Sequence, residues 1–324
     1  MKEIGGYFEL ENFTGSEYHE GLLRLNLGRT ALQFMLQQMH ITTLWLPSFM
    51  CASVFEGCED AGVRMEFYGI TEDFLPDLDR KMNRGECLYL MNYYGQLTEA
   101  QILSFKEKYG TIILDNTHAF FQKAIPGIPA LWSVRKYFGV TDGAYADLPG
   151  NPYAAQALSA LPADSSHTRF SHILGRYEED ASSHYQQMLD NAHSYDHAPV
   201  RRMSALTQNL LKGIDYGYAK KQREHNYDIL ASALDSLNPL PLHRPEGPFV
   251  YPFLCKDGPA LRKQLAREKI FVPTYWSNVI QSTPADSVEH AYAADILALP
   301  CDQRYDESDM RRICSILLPL LQEA

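Results

Sequence analysis

Arg135 and Lys136 stand in the middle of an apolar, aromatic run, WSVRKYFGV, that leads into the Gly-containing turn TDGAYAD. An Arg-Lys pair is ordinarily a solvated surface charge. The alternative is chemical. A lysine desolvated near a strand end loses its proton more easily, and the neutral amine can attack a carbonyl to form a Schiff base. Two other stretches carry residue types that would complete such chemistry. In LNLGRTAL, Gly28, Arg29 and Thr30 join a strand to a helix start, where unpaired backbone N–H groups suit a phosphate, although a plain glycine turn reads the same way. Asp115 closes TIILD and precedes Asn116, Thr117 and His118. An aspartate there commonly caps a turn, yet a carboxylate held at that edge can also pair with a protonated pyridine nitrogen. Phosphate cradle, ring-nitrogen acid and Schiff-base lysine are the protein parts that pyridoxal phosphate chemistry requires.

The elements that must position these residues alternate through the first half. LLRLNLG, TTLWLPS, RMEFYGI, ECLYLMNYYG and TIILDN read as strands, and RTALQFMLQQMH, CASVFEGCEDAG and TEAQILSFKEKYG as helices. Strands separated by helices need crossover connections, which predicts a mostly parallel sheet with helices on both faces. In such sheets, sites form beyond the carboxyl ends of the strands, where Gly28, Asp115 and Lys136 fall. Residues 148–200 carry no clear pattern beyond a helix around YEEDASSHYQQMLDNAH. Ser204 to about Leu237 reads as one or two long helices, and FVYPFLC, PALRKQLAREK, IFVPTYW, ILALPC and DESDMRRICSILLPLLQ then alternate strand and helix again. The division this suggests is a large domain over 1–215 and a small C-terminal α/β domain with a helical connector over 216–324.

Composition narrows the partners. The chain has 324 residues, 45% of them hydrophobic and 21% charged, which is the profile of a folded protein with a sizeable core. A formal charge of −11 speaks against nucleic acid, since polyanions are bound by clustered Lys and Arg. Cys51, Cys58, Cys87, Cys255, Cys301 and Cys314 form no C-x-x-C pair and the histidines no H-E-x-x-H, so reduced buried thiols and no metal are expected. MKEIGGYFELENF lacks a signal-peptide pattern and no stretch stays apolar for the roughly 20 residues of a membrane span, so the expectation is a cytoplasmic protein.

The order GRTAL, LPSFMCAS, FYGI, NYYG, DNTHA, SVRKYFGVTDGAY, and then PVRRMSALTQNLL and ILALPCDQRYDESDM, resembles the DegT-type sugar aminotransferases and covers most of the chain. The resemblance implies an α/β fold-type I pyridoxal-phosphate-dependent transferase. It further implies a homodimer with active sites at the subunit interface, which moves an amino group from an amino acid, usually glutamate, to a keto sugar carried on a nucleotide. Cell-surface polysaccharide or secondary-metabolite synthesis would be the setting. Position by position, Lys136 matches the lysine that carries the cofactor, Asp115 the aspartate facing the pyridine nitrogen and His118 the histidine of the Asp-x-x-His-Ala pattern. Gly28, Arg29, Thr30 and Ser133 fall in the segments that bind phosphate, Arg29 through its backbone.

Two positions depart from the pattern. Cys51 stands where an aromatic residue commonly stacks on the cofactor ring, which leaves Phe49 or Tyr93 to take that part. Arg201 and Arg202 stand beside the place of an Asn that reaches the partner's cofactor phosphate, and an arginine can replace it with charge-assisted bonds. The alternatives are a PLP enzyme acting on a non-sugar substrate and a non-catalytic or regulatory protein of the same fold.

Overall fold

The structure is a computed structural model that describes residues 4–323; Met1–Glu3 and Ala324, the ends of the two expected domains, lie outside them. Its first half alternates as the pattern predicts. β1 (Leu23–Leu25), α1 (Gly28–Gln38), β2 (Thr43–Pro47), α2 (Ala52–Asp60) and β3 (Arg64–Ile70) come first. A two-residue β4 (Pro76–Asp77), β5 (Glu86–Met91), α3 (Glu99–Tyr109) and β6 (Ile112–Asp115) follow, and then β7 (Ala130–Ser133) and β8 (Ala144–Asp147). Local chemistry sets the boundaries. Thr98 and Gln101 form a reciprocal capping box at the start of α3, and Gly110, at φ 85°, ends it.

The eight strands make one sheet in the order β1-β8-β7-β6-β5-β2-β3-β4. β2, β3, β5, β6 and β7 are mutually parallel, and β8 runs against both β7 and β1. β1 therefore points the same way as the parallel set. Interior strands such as β5 and β6 are almost continuously buried, as expected for a sheet covered on both faces.

Residues 148–200 carry three short helices, α4 (Ala154–Ser159), α5 (Ser171–Glu178) and α6 (Tyr185–His193); the helix expected around YEEDASSHYQQMLDNAH is realised as the end of α5 and the whole of α6, with a break between them. α7 (Ala205–Lys212) and the long α8 (Tyr216–Leu234) lead to β9 (Tyr251–Leu254), α9 (Gly258–Arg267), α10 (Ser277–Ser282), α11 (Val288–Asp295), β10 (Ile296–Leu299) and α12 (Glu307–Glu323). β9 and β10 pair antiparallel as a two-stranded sheet. The strand expected at IFVPTYW is absent: Pro273 has no N–H to give a ladder, and Trp276 turns left-handed at φ 55° to open α10.

Apolar side chains collect in two clusters. The larger is built on the main sheet; the smaller joins α8, β9, α9, β10 and α12 through Tyr227, Leu230, Tyr251, Leu265, Leu297 and Leu317. Trp276, Val279 and Tyr292, though late in the chain, belong to the larger cluster. No helix among the described residues is long and apolar enough to cross a membrane.

Candidate active site

The chain reaches β5 by crossing β2, so the direction of winding reverses between those two strands, and in sheets of this kind the crevice lies beyond the carboxyl ends there. Gly28 follows β1, Cys51 follows β2, and Tyr93 and Tyr94 follow β5. Asp115 ends β6 and Ser133 ends β7; Lys136 closes the single 3-10 turn Val134–Lys136 just beyond. One edge of the sheet thus gathers residues that span more than a hundred positions of sequence.

Exposure traces the crevice. Val134, Tyr137 and Phe138 are buried, yet Lys136 between them is exposed, and Gly28, Cys51, Thr117, Ser133 and Tyr275 are half-buried. Among the described residues, the Lys136 ammonium makes no hydrogen bond or ion pair; its Nζ lies 5.4 Å from the Tyr275 ring centre. The side chain is open to the cleft and still surrounded by protein. Confinement away from bulk water, together with Arg135, holds its pKa below the ordinary lysine value against the opposing pull of Cys51 and Asp115.

Asp115 is 4% exposed. Its Oδ1 accepts the Thr117 N–H at 2.8 Å, the turn-capping bond the sequence suggested, and its Oδ2 accepts the Tyr89 hydroxyl at 2.6 Å. Burial raises its pKa, while those two donors and Lys136 oppose the rise. Tyr89 is a site residue that sequence reasoning missed. Its signal was only a tyrosine inside an apolar strand.

His118 is buried in an aromatic enclosure, stacked at 4.3 Å on Phe249 and at 5.4 Å on Trp276, with Tyr94 at 5.5 Å and Tyr275 at 5.7 Å. Its Nδ1 is buried without a hydrogen-bond partner. Burial and Lys136 push its pKa well below the ordinary histidine value, so the ring is neutral. Tyr94 and Trp276 both hold left-handed backbone, φ 53° and 55°, a costly conformation for aromatic residues that tends to cluster at functional sites.

The cradle for an anion is backbone. Leu27 caps α1 without a side-chain bond, and the N–H groups of Gly28, Arg29 and Thr30 have no partner among the described residues. A Cβ on Gly28 would lie 3.7 Å from the Ser133 Cβ and 3.9 Å from its Oγ, so the helix start and the end of β7 face each other. The side chains of the two residues after Gly28 are committed elsewhere. Thr30 Oγ1 accepts the Leu27 N–H and donates to Asn26 Oδ1 at 2.6 Å, and the Arg29 guanidinium joins Glu56 and the Tyr195 carbonyl.

No protein-family model and no curated protein matches this chain in sequence. Solved structures do match in shape. A DegT DnrJ EryC1 StrS aminotransferase from Brucella abortus superposes with TM-score 0.64 at 17% identity, covering 94% of this chain and 86% of that one. DesV of S. venezuelae, in complex with a ketimine intermediate, gives 0.62 at 15%, with 95% and 90% covered. Streptococcus pneumoniae Spr1654, solved in PMP and PLP forms, gives 0.68 at 11%, with 96% and 93% covered. The chain has the fold of the DegT-type sugar aminotransferases.

Within that fold, the expected aromatic partners of the ring are placed differently. Phe49 does not reach the crevice: it is 0% exposed, stacked at 5.2 Å on Tyr93 and edge-on to Trp276 at 4.4 Å. Tyr93 is likewise buried, its hydroxyl donating to the Phe49 carbonyl at 2.5 Å. Packed against Tyr93 and Trp276, the Phe49 ring is enclosed in the core. Cys51 stays at the crevice as the cap of α2, its Sγ 3.1 Å from Ser53 Oγ. Thr117 and Tyr275 are half-buried there too. Arg201 and Arg202 lie along β1 of their own chain: Asn26 donates to the Arg201 carbonyl, Arg201 Nη1 is 3.6 Å from Asp164, and Arg202 Nε donates to the Leu161 carbonyl at 2.8 Å.

Proposed function

We propose that the protein is a pyridoxal-phosphate-dependent aminotransferase that moves an amino group from an amino acid, glutamate by preference, to a keto sugar carried on a nucleotide. The observation that carries this reading is the unpaired Lys136 amine in a crevice that also presents free helix-start N–H groups, Ser133 and the Asp115 carboxylate. These residues fit the cofactor. The N–H groups of Gly28, Arg29 and Thr30 and the Ser133 hydroxyl would hold the phosphate, Asp115 the ring nitrogen, and Lys136 the aldehyde carbon. Bound there, the cofactor supplies an electron sink for charge developing at the donor's α-carbon.

The chain's own part is proton and charge handling. A depressed lysine pKa leaves more neutral amine at neutral pH, so Nζ can act first as nucleophile and then take and return a proton. The Tyr89 and Thr117 donors favour the anionic form of Asp115 against the effect of burial, and the carboxylate in turn favours a protonated ring nitrogen. Neutral His118 fills the wall beside them and keeps water out.

The active unit is a homodimer. Its support is an N-terminal arm whose Ile4, Tyr7 and Phe8 are 96–99% exposed. Arg201, half its side chain free, would then be the arginine able to reach a neighbour's phosphate. Incubating the protein with glutamate and a panel of nucleotide-linked keto sugars, and following pyridoxamine phosphate formation and consumption, tests the whole reading. Absence of the glutamate half-reaction in protein that holds the cofactor would overturn it.

A further inference from the structure

Arg223, on α8, is 1% exposed and has no carboxylate partner among the described residues. Its donors go to carbonyl oxygens instead. Nη1 donates to Pro248 at 2.9 Å and Phe249 at 3.3 Å, Nη2 to Tyr137 at 3.2 Å, and Nε to Gln303 Oε1 at 2.6 Å. Gln303 then donates its own amide to the same Tyr137 carbonyl at 3.0 Å. The guanidinium also covers the Tyr137 ring at 4.4 Å, and the Tyr137 hydroxyl donates to the His118 carbonyl at 2.9 Å.

A cation buried without a counter-charge is costly, and burial depresses the pKa of this one. An apolar side chain would fill the space at less expense if filling were all that mattered. What only a planar guanidinium provides is several donors at fixed angles. Here those donors tie three places together: the carbonyl directly after Lys136, the segment leading into β9, and the loop leaving β10. β9 and β10 belong to the smaller cluster, Lys136 to the edge of the main sheet.

We propose that Arg223 and Gln303 are positioning residues for Lys136: by gripping the Tyr137 carbonyl they set the turn so that the Lys136 amine stands free beside Tyr275. The inference rests on the reading of Lys136 as the cofactor lysine. The groups facing that amine are Arg135 in its own turn, Cys51 ahead of α2, Asp115 at the end of β6, and Tyr275 and His118 in the enclosure. With the turn loosened, the ammonium moves toward water and Asp115, and its pKa rises.

Two variants separate positioning from charge. Arg223→Lys keeps the cation but cannot bridge the carbonyls, and Gln303→Met keeps volume and neutrality. In the full chain stripped of cofactor, the pH dependence of Lys136 labelling by an amine-reactive acylating probe is read by peptide mass spectrometry. We expect the labelling midpoint to rise by about half a unit or more in each folded variant, with severalfold slower labelling near neutral pH. Variants that fold and show the wild-type midpoint would overturn the proposal, and Gln303→Met decides it if Arg223→Lys does not fold. Borohydride trapping of added pyridoxal phosphate on wild-type Lys136, run in parallel, tests the underlying reading separately: no trapped lysine there sinks the cofactor assignment, while the labelling midpoints still judge the clamp.

Discussion

At the scale of single residues, Lys136 and Asp115 differ in how their surroundings act on them. Lys136 has no bonded partner, so its depressed pKa comes from confinement, and removing the side chain leaves nothing to take its place. In Lys136→Ala we expect the borohydride-stable attachment of cofactor to vanish, measured by mass and by loss of visible absorbance after reduction. The Asp115 pKa, by contrast, is pushed up by burial, and its hydrogen-bond donors work against that rise. Tyr89 gives it a short bond from a wholly buried hydroxyl, and a hydrogen bond to a charged group is worth about 1.5–3 kcal/mol. Tyr89→Phe deletes one oxygen and little volume, so the Asp115 carboxyl pKa should rise by about 1–2 units, read from its side-chain carbon shift by NMR. An unchanged titration would mean that Thr117 and Lys136 suffice to hold the carboxylate.

At the scale of elements, the turn that carries Lys136 is braced from behind. Gly143 accepts the Val134 N–H at 3.1 Å, and its φ of 124° brings the backbone so close that a Cβ would meet Thr207 at 3.2 Å and Val134 at 3.3 Å. Asp142 beside it is wholly buried and accepts the Ser204 N–H at 2.7 Å, the Ser204 hydroxyl at 2.8 Å and the Thr207 hydroxyl. Ser204 in turn caps α7. One carboxylate therefore fixes the start of α7 against the turn after Lys136. Replacing it by alanine strands those buried donors, and Asp142→Ala should lose roughly 3 kcal/mol or more in chemical denaturation. A loss under about 1 kcal/mol would show that water replaces the carboxylate.

At the scale of the whole molecule, two histidines make stability depend on pH. His19 is enclosed by the rings of Tyr18, Phe120, Trp132 and Tyr145, with Nε2 2.7 Å from the Phe120 carbonyl, and burial lowers its pKa to about 4. His118 is lowered as well. Each binds a proton more readily in the unfolded chain than in the folded one. The folded state therefore keeps its full advantage above about pH 6.5 and loses it as pH falls toward 4, by at most about 3 kcal/mol for His19. Urea unfolding at pH 7 and pH 4.5 should show that loss, and His19→Gln should shrink the difference between the two. An equal difference in the variant would assign the slope to other groups.

Much of this architecture is legible in the sequence. The strand at Arg64–Ile70 coincides with RMEFYGI, and α3 fills the stretch TEAQILSFKEKYG up to its closing Gly, because periodicity and helix-end signals are local properties. Parallel pairing followed from helices between strands, and with it the expectation that Gly28, Asp115 and Lys136 share an edge. What the sequence could not decide was which of several similar side chains faces the crevice. Phe49, Tyr93, Tyr94 and Trp276 are all aromatic, and only their packing against one another sends them into the core while half-buried Cys51, Thr117 and Tyr275 remain at the opening. The strand misread at IFVPTYW failed for the same reason: β character in an apolar run is realised only where a partner strand lies beside it, and β9 and β10 had paired with each other. Arg223 carries the point furthest. It stands in the charged run KKQRE, and only the approach of Tyr137, Phe249 and Gln303 from distant parts of the chain, which sequence spacing does not encode, makes it a buried tie beside Lys136.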